Sequence, residues 1–100
     1  MLKKISSYKL SEEADFDLEA IFDYTEYSRG FNQAVKYLNH LDVVIEQLVS
    51  NPLIGRKRHE LKLGLHSIIE QEHFIFYRIM KNHIRIVRVL HGSKDIPKHF

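Results

Sequence analysis

One hundred residues suit one domain, 1–100, because folding at that length buries roughly 65% of the surface of the unfolded chain and so supports one modest core. A composition of 44% hydrophobic and 28% charged residues excludes a disordered chain. The lack of cysteine excludes disulfides and thiolate metal sites, and no apolar run is long enough to span a bilayer, so a soluble, cytoplasmic protein without a membrane partner is expected. The net charge of +2 hides a division: residues 1–50 carry five Lys/Arg against nine Asp/Glu (−4), and residues 51–100 carry ten against four (+6), a half whose field suits phosphate or an acidic protein partner.

In chain order, Leu2 to Leu10 reads as an opening strand with Ile5, Tyr8 and Leu10 as its apolar members. Ser11 ends it and suits a helix N-cap, since its hydroxyl accepts from an orphan first-turn amide. Glu12, Glu13 and Asp15 then sit where the helix dipole favours anions. Ala14, Leu18, Ile21 and Thr25, with Phe22 beside them, form the apolar face of a helix that ends around Tyr27 to Gly30. A second stripe, Ala34, Leu38, Leu41, Ile45 and Leu48, runs until Ser50-Asn51-Pro52. Two amphipathic helices with so short a break form an antiparallel hairpin that needs a sheet beneath it.

Pro52 to His59 reads as a linker with three consecutive cations, Arg56, Lys57 and Arg58. Leu61 to Ile69, broken by Gly64, Phe74 to Met80 and Ile84 to Leu90 read as strands, the last two joined by Lys81-Asn82-His83, where Asn82 best tolerates a left-handed backbone. In the last strand, simple alternation puts Arg88 with Ile84, Ile86 and Leu90, and Arg85, Val87 and Val89 on the other side. Basic side chains recurring inside apolar strands suggest a sheet built to present charge. Phe16, Phe22, Phe31, Phe74 and Phe76 are expected in the core rather than on a base-stacking platform. The expected fold is α+β: an N-terminal strand, an antiparallel helix hairpin, then a three- to four-stranded antiparallel sheet.

That order, together with Asn51-Pro52-Leu53-Ile54-Gly55-Arg56, Phe76-Tyr77-Arg78-Ile79 and above all Ile86-Val87-Arg88-Val89-Leu90-His91-Gly92-Ser93-Lys94-Asp95-Ile96, resembles the ParE branch of the RelE/ParE toxin superfamily over essentially the whole chain. The resemblance implies the toxin of a type II toxin-antitoxin module, associated with plasmid stabilization, held inactive by a ParD-like antitoxin and acting as a DNA gyrase inhibitor when freed. It implies no enzyme activity of its own and no direct nucleic-acid binding by the chain alone.

The superfamily's other branch supplies the rival reading, a RelE-like ribosome-dependent mRNA endoribonuclease. Such cleavage needs a base, a phosphate clamp and an acid. Glu60, Glu70 or Glu72 would supply the first, Arg78 and Arg88 the second, and His91 the third. Against this, Arg88 can pair with an acidic neighbour, His91 can brace a strand end, and the His91-Gly92 continuation departs from the nuclease ending. The histidines lack the short spacings of zinc sites, so no metal and no cofactor are expected. The partner-binding residues expected are Arg56, Lys57, Arg58, Arg78, Arg85, Arg88, His91 and Lys94, edging an apolar groove beside the helix hairpin and sheet.

Overall fold

A computed structural model describes residues 4–100. The elements are β1 (Ser7–Leu10), α1 (Glu12–Arg29), α2 (Phe31–Ser50), a single 3₁₀ turn (Pro52–Ile54), β2 (Arg56–Lys57), β3 (Leu65–Glu70), β4 (His73–Ile79), β5 (His83–His91) and a C-terminal 3₁₀ turn (Ile96–His99). The strands form one sheet in the order β1-β5-β4-β3-β2. After the helices come four antiparallel strands, and β1 adds a fifth, parallel to β5, with Ser7 opposite His83 and Leu10 opposite Ile86. The opening strand is shorter than Leu2 to Leu10, and its first two expected residues lie outside the described ones.

Ser11 caps α1 as its chemistry dictates: its Oγ accepts from Ala14 N at 3.0 Å. It also closes the edge of β5 beyond β1, its amide donating to Ile86 O at 2.9 Å and its hydroxyl to Val87 O at 2.8 Å. One turn on, Asp17 Oδ2 accepts from Val89 N at 2.9 Å. The first turns of α1 therefore do the work of a strand, satisfying backbone groups that a bare sheet edge would leave open. Gly30 alone separates the helices, at φ 93, a conformation that costs glycine little.

The helix hairpin covers one sheet face. Ala14 and Ile21 of α1 and Tyr37, Leu41, Val44, Ile45 and Leu48 of α2 pack on Ile75, Tyr77, Ile84, Ile86 and Val89. Ile5, Tyr8 and Leu10 close that core at one side, and Tyr8 Oη donates to Asp42 Oδ1 at 2.9 Å. The other face carries a smaller cluster, Leu65, Phe76 and Leu90, roofed by Leu61, Phe74, Val87, Ile96 and Phe100. The Phe100 ring lies 4.8 Å from that of Phe76.

Four local expectations change. The strand expected from Leu61 begins only at Leu65, because Gly64 turns the chain at φ 84. The expected linker holds β2 and the Pro52–Ile54 turn. Asn82 does not adopt the left-handed backbone, which falls at Gln71 (φ 52) between β3 and β4; Asn82 instead offers its carbonyl to Ser6 N at 3.2 Å. In β5 a bulge interrupts the alternation: Phe76 faces Arg88 while Tyr77 faces Ile86, leaving Val87 unopposed. The extra residue moves Val89 to the helix face with Ile84 and Ile86, and puts Leu90 with Val87 on the other.

Candidate partner-binding site

The quoted motif residues Gly55 and Tyr77 meet in space. Tyr77 is fully buried; its hydroxyl donates to Pro52 O at 2.7 Å and accepts from Gly55 N at 3.0 Å. A Cβ at position 55 would fall 2.7 Å from Ser67 O, so only glycine lets the loop approach that closely. Burial raises the Tyr77 phenol, which therefore stays protonated and serves as a hydrogen-bond post. It anchors the segment that delivers Arg56, Lys57 and Arg58.

Those three cations part company. Arg56 and Lys57 are exposed on the edge strand β2, and the register puts Arg56 opposite Ser67 on the sheet face away from the helices. Arg58 folds inward, its guanidinium 5.7 Å and 5.5 Å from the Phe74 and Phe76 ring centroids, with bonds to Ser67 Oγ at 3.1 Å and Glu60 at 2.7 Å. Arg58 holds the Glu60 carboxyl below its usual range, which makes Glu60 a weaker base.

Arg78 and Arg85 are cross-strand partners on that same open face, one row along from Arg56. Arg78 donates to Leu63 O at 3.0 Å. Among the described residues, Arg56, Arg78 and Arg85 meet no carboxylate within salt-bridge distance. Exposed Leu63 and Ile69 share the neighbourhood. The result is a cationic face flanked by exposed apolar side chains.

Arg88 differs from both. It forms a two-pronged pair with Asp17, Nε to Oδ2 and Nη2 to Oδ1 at 2.8 Å each, with Glu13 at 3.4 Å and His99 Nδ1 at 3.2 Å. Its side chain is 15% exposed, and the Asp17 bond raises its pKa further. The expectation that Arg88 offers its charge to a partner or a phosphate is corrected: the guanidinium is used internally, tying α1 to the bulged strand.

His91 and Lys94 lie elsewhere, at the mouth of a cleft of about 680 Å³ between the helix hairpin and the β3–β4 turn, which Tyr37, Glu72, His73 and Asp17 also line. The cleft lies where the groove was expected, but its lining mixes charge with apolar surface. Ser93 N donates to His91 Nδ1 at 3.0 Å, which leaves the ring proton on Nε2, 3.4 Å from Glu72 Oε2. Behind it, Tyr37 Oη donates to Glu70 O at 3.2 Å and lies 2.6 Å from His73 Nδ1, an arrangement that assigns the Nδ1–H tautomer to His73. Burial, with Glu70 and Glu72 nearby, pushes the Tyr37 phenol up to about 12. Burial and then the neighbouring His91 lower His73.

The three residues of the nuclease reading do not converge. His91 pairs with His73 at one end of the β4–β5 ladder and Arg78 with Arg85 near the other, five residues or roughly 17 Å away and on the opposite face. Sequence reasoning missed Asp17 and Tyr77, whose roles depend on contacts far along the chain. It also missed the exposed ring of Phe16.

The architecture is a two-layer α+β fold with one cationic sheet face. A family model described as the ParE toxin of type II toxin-antitoxin system, parDE, matches residues 8–96. The chain is 37% identical over 95 residues to Toxin ParE1 of Mycobacterium tuberculosis, covering 94% of this chain and 97% of that one. It is 34% identical over 92 residues to Toxin ParE1 of Caulobacter vibrioides, covering 92% and 95%. A solved structure described as the chromosomal ParDE TA system from P. aeruginosa shares the fold, with a TM-score of 0.75 at 21% identity over 87% of this chain and 95% of that one. The chain belongs to the ParE toxin family, the toxin component of parDE type II toxin-antitoxin systems.

Proposed function

We propose that this chain, acting as one domain in the cytoplasm, is neutralised by a ParD-like antitoxin and, once free, poisons DNA gyrase without catalysing a reaction itself. The observation that carries the antitoxin half is the open sheet face, where, among the described residues, Arg56, Arg78 and Arg85 form no salt bridge. An acidic segment that orders on binding supplies the missing carboxylates, and Leu63 and Ile69 give its apolar side chains a seat. Lys94 adds a cation, and His91 a hydrogen-bonding ring, at the cleft on the helix side. The gyrase half rests on family membership, and the separation of Arg78 from His91 supports a toxin without a nuclease centre.

Charge reversal at both Arg78 and Arg85 is expected to weaken the antitoxin complex at least tenfold in low salt; unchanged affinity by calorimetry refutes this surface. Purified protein in a gyrase supercoiling and cleavage-complex assay, with a translating extract in parallel, tests the rest. Gyrase-linked DNA breaks are expected, and codon-dependent cuts in message would return the RelE-like reading. Residues 92–100 are taken to contribute to the gyrase contact, so Lys94→Glu with Lys98→Glu should reduce gyrase-linked breaks; removing the tail is a poorer probe, because losing Ile96 and Phe100 uncovers the cluster of Leu65, Phe76 and Leu90.

A further inference from the structure

Helix α1 is apolar on two opposite sides. One side carries buried Ala14 and Ile21 against the sheet. Roughly 120–160° around the helix from them are Phe16 and Tyr27, with side chains turned to solvent. Phe16 is 59% exposed and Tyr27 92% exposed. This overturns the expectation that Phe16 belongs to the core, and Phe31, also half-exposed, departs from it too. The ring positions are eleven residues apart, about 16 Å or three turns along the helix, which is the reach of a second helix laid beside it. An isolated surface aromatic needs no explanation, but a pair aligned along the solvent side of one helix is a seat.

Charge selects the occupant. The sequence of α1 holds seven acidic side chains and one basic, and Glu12, Glu19 and Asp23 flank the two rings on the solvent side. Two copies meeting α1 against α1 would oppose −6 to −6, and nucleic acid or an anionic lipid surface would be repelled in the same way. We infer that the Phe16–Tyr27 face of α1 docks a cationic amphipathic helix of a protein partner, whose apolar side chains fill the ground between the rings and whose Lys or Arg residues meet Glu12, Glu19 and Asp23. Lysine or arginine over the open ring faces adds cation–π attraction. The seat lies on the helix layer, across the sheet from Arg78 and Arg85, so it can be filled while an acidic segment occupies the cationic face.

The test uses the full chain and a synthetic helical peptide of about 18 residues built from Leu, Ala and Lys, with the Glu-for-Lys peptide as counterpart. In ¹H–¹⁵N spectra the Lys peptide is expected to shift amides along the solvent side of α1, around Phe16, Asp23 and Tyr27, while the Glu peptide leaves them unmoved. The double variant Phe16→Ser/Tyr27→Ser should weaken binding at least tenfold, and Glu19→Lys/Asp23→Lys should weaken it and flatten its salt dependence. All four positions are exposed, so the variants should keep the parent melting curve. Shifts centred on Arg78 and Arg85, equal binding of both peptides, or unchanged affinity in the serine variant overturns the proposal. So does sedimentation showing that copies of the chain associate through this face.

Discussion

Two regions of the sheet use arginine in opposite ways. At the α1 side, Arg88 is enclosed by Asp17 and Glu13, and its neighbour Val89 gives its amide to the same Asp17 carboxylate. On the open face, Arg78 and Arg85 stand side by side across two strands with no carboxylate within salt-bridge distance among the described residues. Like charges in direct cross-strand register cost stability, and a fold keeps such a pair readily when a partner relieves it. An arginine with its counter-charge built in ties elements of the fold together, whereas the Arg78–Arg85 pair leaves its charge unmatched among the described residues.

The sharpest way to break this contrast is at Asp17. Asp17→Ala strands a mostly buried guanidinium and the Val89 amide together, and should lower stability by about 3 kcal/mol, read as a lower midpoint in urea unfolding. A loss below about 1 kcal/mol would make the pair an ordinary surface bridge. Next in size is the loop that presents Arg56. Gly55→Ala pushes a methyl against Ser67 O and should cost about 1–3 kcal/mol, while Tyr77→Phe, which leaves Pro52 O and Gly55 N without their partner, should cost a similar amount. Ser11→Ala removes the α1 cap and should cost about 1 kcal/mol.

A pH titration gives a smaller effect. His73 is lowered from its ordinary value of 6.5, so the unfolded chain binds its proton more readily than the folded one. Its contribution is complete above about 6.5 and declines as pH falls from there towards the folded value. Unfolding midpoints of the parent chain should therefore fall more steeply below that pH than those of His73→Gln; parallel curves would remove His73 from the account. Smallest of all, Arg78→Ala should change stability by no more than about 0.5 kcal/mol while weakening the antitoxin complex, which is the signature that separates it from Arg88.

Residues near one another in sequence determined much of this protein by themselves. Apolar spacing set both helices and their buried stripes, Ser11 and its acidic followers marked where α1 begins, and β-branched and aromatic runs marked the strands. The motif around Gly55 and the ending after Ile86 carried the family resemblance. Those signals are legible because capping, helical periodicity and strand propensity act over a few residues. The candidate cations were legible as residue types, but their availability was not. Only the tertiary structure decided that β1 runs parallel to β5, that Val87 bulges and sends Val89 and Leu90 to faces other than those alternation assigns, and that Asp17 engages the Arg88 guanidinium internally. It likewise left Phe16 and Tyr27 of an otherwise core-packed helix uncovered. Each of these depends on which surfaces meet across long stretches of chain, and local pattern cannot report whether a side chain's counter-charge or cover arrives from the far end of the sequence.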